Sequence, residues 1–209
     1  VNGVDDTLSD DNQAFSVTLG PVTSSDANYA GKNPDDVRVT NVDNETASIT
    51  VSALSGNTTE MGGTATLTVV LDSQPTSDVS IAVSSSDTSE ATISPSFLTF
   101  GSSNYSTLQT VTVTGVDDFY DDDNVSYTIT VDPSRSIASY NTMTSSTVTG
   151  SNIDNDTAAI TVGAKSGNTS EFGTTATINV TLATIPTANV SIVVTDNDST
   201  EVSITPTTL

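Results

Sequence analysis

Thr64-Ala65-Thr66-Leu67-Thr68-Val69-Val70-Leu71 sets the architecture of this chain. Ala65, Leu67, Val69 and Leu71 alternate with threonines, so an extended backbone puts the apolar residues on one face and the hydroxyls on the other. Ala176, Ile178, Val180 and Leu182 repeat the pattern further along. Val79, Ile81 and Val83 continue it, as do Val190, Ile192 and Val194, then Val111 and Val113, then Tyr127, Ile129 and Val131. β-Branched residues at period two are the mark of half-buried antiparallel strands. Turn clusters such as Ser55-Gly56-Asn57, Asp72-Ser73-Gln74-Pro75 and Ser84-Ser85-Ser86-Asp87 separate them. No stretch carries a helical stripe.

Longer stretches return at the spacing that separates Ala65 from Ala176. Asn41-Val42-Asp43-Asn44-Glu45-Thr46-Ala47 reappears as Asn152-Ile153-Asp154-Asn155-Asp156-Thr157-Ala158. Val1-Asn2-Gly3-Val4-Asp5-Asp6 reappears, at a spacing one position longer, as Val113-Thr114-Gly115-Val116-Asp117-Asp118. The 209 residues therefore read as three pieces of an array: the C-terminal half of a repeat at 1–45, a complete repeat at 46–156, and the N-terminal half of a third at 157–209. About seven short strands in each unit of about 111 residues imply an all-β fold, tandem immunoglobulin-like antiparallel β-sandwich repeats with Greek-key connections. The leading piece carries two strands, within 13–19 and 36–42. Neither end piece can bury its inner face alone. The residues matching 99–112 are supplied by neither, so excision from a longer chain is expected rather than head-to-tail strand complementation.

Composition bounds the chemistry. The formal net charge is −22, from 26 acidic residues against Lys32, Arg38, Arg135 and Lys165. Such a surface repels nucleic acid and anionic membranes and attracts cations. The chain has no His, Cys or Trp, which excludes imidazole acid–base chemistry, thiol nucleophiles, disulfides and soft-metal sites. No apolar run approaches the roughly 20 residues of a membrane span, so no membrane insertion is expected, and whatever directs export is expected outside this stretch. Low hydrophobicity with high charge is also a signature of disorder. The strict alternation argues against it.

The acids gather where strands end. In the complete repeat they are Glu60, then Asp87 and Glu90, then Asp117-Asp118 with Asp121-Asp122-Asp123, then Asp154 and Asp156. Many recur across the repeat: Glu60 with Glu171, Asp87 with Asp198, Glu90 with Glu201, Asp118 with Asp6, Asp122 with Asp10, Asp154 with Asp43. Loops at one end of a sandwich bring such residues together. Clustered carboxylates repel and raise one another's pKa, a penalty that a hard divalent cation removes. Ca2+ suits the set, because it takes six to eight oxygen ligands in flexible geometry. Zinc would want nitrogen or sulfur ligands. The 117–124 loop is no EF-hand, having no Gly at its sixth position and no closing Glu.

An acid before a Gly-rich strand entry (Glu60-Met61-Gly62-Gly63-Thr64-Ala65-Thr66), a Val-Asp-Asp turn with a further acid at Asp122, and a closing Ile153-Asp154-Asn155-Asp156 together resemble the Calx-beta domain. The resemblance spans nearly the whole chain. It implies an immunoglobulin-like sandwich binding calcium through loops at one end, near the junction with the next domain. Carried over by position, the ligands are Glu60, Asp118, Asp122, Asp154 and Asp156, with Asp117 in addition. In the loop where the family places a further Asp before an aromatic, this chain has no aromatic, and Asp87 or Glu90 would take that place. The equivalents in the neighbouring pieces are Asp6, Asp10, Asp43 and Glu45, and Glu171 and Asp198. Glu45 departs from the closing Asp.

These readings favour a structural segment of a long extracellular or cell-surface protein, an adhesin, stalk or fibre, whose sandwich junctions calcium rigidifies. Its partners would be neighbouring repeats, with any surface or matrix ligand bound by regions outside this chain. A calcium-sensing regulatory module and a plain acidic spacer without metal are the alternatives. No enzyme is expected, because paired catalytic carboxylates need a cleft and a sugar-stacking surface. Tyr29 and Tyr140 occupy matching places and read as packed or edge tyrosines rather than a sugar-binding ledge. Lys165 reads as an exposed lysine, since its counterpart is Leu54.

Overall fold

The computed structural model describes residues 1–209 apart from Arg135 and Ile137, with only the backbone of Ala138. Strands dominate: β1 (Gln13–Val17), β2 (Val37–Asn41), β3 (Ile49–Val51), β4 (Thr58–Thr59), β5 (Thr64–Leu71), β6 (Val79–Ser85), β7 (Ala91–Ser94), β8 (Phe97–Phe100), β9 (Gln109–Gly115), β10 (Val125–Asp132), β11 (Ser146–Ile153), β12 (Ile160–Val162) and β13 (Val180–Leu182). A single turn of helix, α1 (Ala138–Asn141), interrupts them.

Residues 49–153 form an immunoglobulin-like sandwich. One sheet has the order β3-β5-β9-β7 and the other β4-β11-β10-β6-β8. All pairings within them are antiparallel except β4 with β11. From β5 to β10 the chain crosses between sheets at every connection, so alternating residues of both sheets face one core. Among the described residues the strands of this unit number nine rather than about seven. Gly56 and Asn57 separate β3 from β4, and Pro95, which has no N–H for a ladder, separates β7 from β8.

The alternation seen in the sequence is the alternation of burial. Leu67, Val69 and Leu71 of β5, Val79, Ile81 and Val83 of β6, Val111 and Val113 of β9, and Tyr127, Ile129 and Val131 of β10 are buried together. Helix α1 adds Tyr140, whose Oη donates to Ser73 O at 3.0 Å. Tyr140 is thus a core residue and no ledge. Its counterpart Tyr29 is 60% exposed, because the leading piece has no second sheet to cover it.

The flanking pieces are thinner. Residues 1–45 hold the antiparallel pair β1·β2, with Phe15 opposite Val39. Residues 157–209 hold β12·β13. Ile178 and Leu182, which match the buried Leu67 and Leu71, are 52% and 38% exposed. Between pieces, Ser9 N donates to Gln74 O at 3.1 Å and Ile185 N to Phe119 O at 2.8 Å.

Candidate metal centre

Strand direction puts the acids at one end of the complete sandwich. β4, β6, β9 and β11 finish there, while β5, β7 and β10 begin there. Glu60 follows β4 and is tied down at its backbone, where its N donates to Ile153 O at 3.1 Å. Glu90 precedes β7, and its carbonyl accepts from Val116 N at 3.0 Å. Asp117 and Asp118 follow β9, Asp122 precedes β10, and Asp154 and Asp156 follow β11.

Two triads result. One is Glu60, Asp154 and Asp156; the other is Glu90, Asp118 and Asp122. Within each, one carboxylate oxygen per residue lies within 4.8 Å of the others. The donor set, carboxylates without nitrogen or sulfur, is of the kind that could hold a hard metal ion.

Burial and mutual repulsion act on the same residues. Glu60 is 2% and Glu90 6% exposed. Desolvation raises the pKa of Glu60, opposed by the Asn155 N–H donating to its Oε2 at 3.0 Å and reinforced by Asp154 and Asp118. Glu90 is raised by burial, with Asp122, Asp118 and Asp87 adding to the effect. Asp122 is raised by desolvation and then by Asp118 and Asp154. Asp156 is raised likewise, with Asp154, Asp117, Asp118 and Asp121 as its repelling neighbours. The influences cross between the triads, so the two behave as one electrostatic unit.

A buried polar network supports the site from below. Asn152, 1% exposed, donates through Nδ2 to Glu90 Oε2 at 3.3 Å and to Val116 O at 2.9 Å. Its Oδ1 accepts from Thr58 Oγ1 at 3.0 Å, and Thr58 Oγ1 also meets Tyr127 Oη at 3.1 Å. Gly115 must be glycine, because a Cβ there would strike Thr59 O and Asn152 Oδ1.

Of the residues read from sequence in the complete repeat, the structure brings Glu60, Asp118, Asp122, Asp154 and Asp156 into the triads. Asp117 lies beside them, its Oδ1 accepting from Asn155 Nδ2 at 3.1 Å. Asp87 is outside the triads, and Glu90 holds the place in the cluster. The Asp87 carboxylate closes its own turn, accepting from Ser89 N at 3.0 Å and Ser89 Oγ at 2.5 Å, which lowers its pKa. Asp198 does the same with Thr200. In the fold Glu90 directly precedes the buried Ala91 on the entry to β7, and Asp87 sits mid-turn. Asn152 is legible only as part of the repeated Asn-Ile-Asp-Asn stretch.

In the leading piece, Asp6, Asp10, Asp43 and Glu45 line a cavity of about 230 Å3 together with Asp5 and Asp11. Several local hydrogen bonds repeat there. Leu8 N donates to Asp6 Oδ1 at 2.8 Å as Tyr120 N does to Asp118 Oδ1 at 2.7 Å. Asp43 N donates to Asn12 Oδ1 as Asp154 N does to Asn124 Oδ1. Asp11 and Asp123 both adopt a left-handed backbone, with φ of 62° and 63°. The Glu45 N–H holds the Asp43 pKa down, while Glu45 itself is raised by desolvation and by Asp43. Glu171, in the trailing piece, is exposed and joins no triad among the described residues.

No protein-family model matches the chain, and no curated protein matches it. Among solved structures, WR4, a C. elegans MSP family member, is similar at 15% identity over 50% of this chain and 95% of that one, with a TM-score of 0.33.

Proposed function

We propose that this chain is a structural segment of a long extracellular repeat protein whose sandwich junctions calcium stiffens. The observation that carries the reading is the position of the two carboxylate triads: they lie at the end of the sandwich from which the chain passes into the next repeat, and Asp118 and Asp122 sit on the loop whose Phe119 carbonyl accepts from Ile185 of that repeat. Without a cation the raised acids repel and the exit loops are loose. Bound Ca2+ joins β4 to β11 through one triad and β7, β9 and β10 through the other, and fixes the exit strand. Such a module supplies length and orientation rather than catalysis, and it belongs on a cell surface or in a fibre, where calcium is plentiful.

Calcium titration by calorimetry on the 209-residue chain, paired with thermal unfolding in calcium and in chelator, tests this. Binding in the micromolar to millimolar range with a rise in melting temperature supports it; calcium at about 100 times Kd would add about 2.7 kcal/mol. No heat and no shift would leave an acidic spacer and sink the calcium reading.

A further inference from the structure

Two backbone contacts between repeats fall at matching places. Gln74 N donates to Thr7 O at 2.8 Å, and Ile185 N donates to Phe119 O at 2.8 Å. Phe119 stands to Thr7 as Val113 stands to Val1, and Ile185 stands to Gln74 as Ala176 stands to Ala65, so both partners are repeat equivalents. At the first junction Ser9 N returns a bond to Gln74 O at 3.1 Å, so that Leu8 and Gln74 form a parallel bridge. At the second, Ala158 N adds a tie to Asp121 Oδ2 at 2.7 Å. Ser9 is 9% exposed in a piece where most residues are open to solvent.

The side chains at these contacts have nothing in common. Thr7 gives way to Phe119, and Gln74 to Ile185. What persists is the backbone and the proline that follows, Pro75 and Pro186. A residue before proline is driven out of the helical region into extended geometry, and the proline offers no N–H of its own. The turn between β5 and β6 therefore presents an extended N–H and C=O outward, as an edge strand does, and edge groups seek a partner.

We propose that the acidic loop following β9 is a docking edge for the extended X-Pro turn of the following repeat, so that every junction of the array is closed by a backbone bridge as well as by the covalent linker. The docking edge and the carboxylate loop are one segment: Phe119 lies between Asp118 and Asp122. The bridge shares with the functional reading the premise of a fixed junction, and it does not depend on calcium.

Amide hydrogen exchange followed by NMR on the 209-residue chain, in calcium and in chelator, tests it. The Gln74 and Ile185 amides are expected to exchange at least roughly tenfold more slowly than that of Ser77 in the first turn. Ile185→Pro removes the donor and is expected to broaden the distance distribution in small-angle scattering while leaving the unfolding of 46–156 unchanged. Ile185→Ala keeps the donor and is expected to leave the junction as it was. Gln74 and Ile185 amides exchanging as fast as Ser77, or an alanine variant as loose as the proline one, would overturn the bridge. Protected amides with no calcium binding would keep the bridge and discard calcium; calcium binding with unprotected amides would do the reverse.

Discussion

Glu60 and Glu90 hold carboxylates almost wholly out of water, Glu60 accepting from the Asn155 backbone and Glu90 from the Asn152 side chain. Both pKa values are raised from 4.5, and those of Asp122 and Asp156 are raised from 3.8. A carboxylic acid whose folded pKa exceeds its unfolded one stabilises the fold below the unfolded value and loses that contribution as pH rises through the folded one. In chelator the melting temperature is therefore expected to fall as pH climbs from about 4.5 to 7, while the gain from calcium grows over the same range because protons and calcium compete for the same oxygens. A pH-independent difference between the two conditions would contradict the site. Glu60→Gln removes the repulsion and one ligand together. It is expected to raise the melting temperature in chelator and to shrink the calcium-induced rise. Asp118→Asn and Asp122→Asn are expected to abolish most of that rise with strand content, read by circular dichroism, unchanged.

Among the strands, β11 matters more than its modest apolar content suggests. Gly150 lets it pass over the Tyr127 ring, because a Cβ there would come within 2.6 Å of the ring. Gly150→Ala is expected to cost about 1–3 kcal/mol, the usual penalty of overpacking, measured by urea unfolding. Two residues on, Asn152 joins Glu90, the Val116 carbonyl and Thr58. Asn152→Ala strands those buried partners and is expected to cost about 1–3 kcal/mol and to weaken calcium binding through the displaced Glu90. Unchanged calcium affinity in that variant would separate Asn152 from the site. Period two in the sequence marks the strands β5, β6, β9 and β10, but nothing in a single polar Asn among many announces that this one is a hub.

Across the full chain, consecutive repeats meet at the acidic end of one and the β5–β6 turn of the next. If calcium stiffens that meeting, small-angle scattering of the 209-residue chain is expected to show a narrower distance distribution in calcium than in chelator, with the difference lost in Asp122→Asn. Identical profiles would assign the junction's order to the backbone alone. The two flanking pieces are expected to exchange amide hydrogens far faster than β5, β6, β9 and β10, since they lack the second layer that covers a sheet face.

The period, the strand faces and the grouping of acids at strand ends are all legible in the residue order, because each is written locally: apolar alternation fixes which side of a strand leaves water, and a turn must separate one strand from the next. Residue order also marks Asp118, Asp122, Asp154 and Asp156, which recur or close the repeat at loop positions. That Glu90 enters the cluster while Asp87 closes a turn emerges only on folding, since a short separation along the chain becomes a different direction in space once β7 is fixed. Burial likewise emerges only then. Leu67 and Ile178 share a pattern and a place in the repeat, yet Leu67 is 1% exposed and Ile178 52%, because burial is a property of the opposing sheet and not of the strand that offers the side chain.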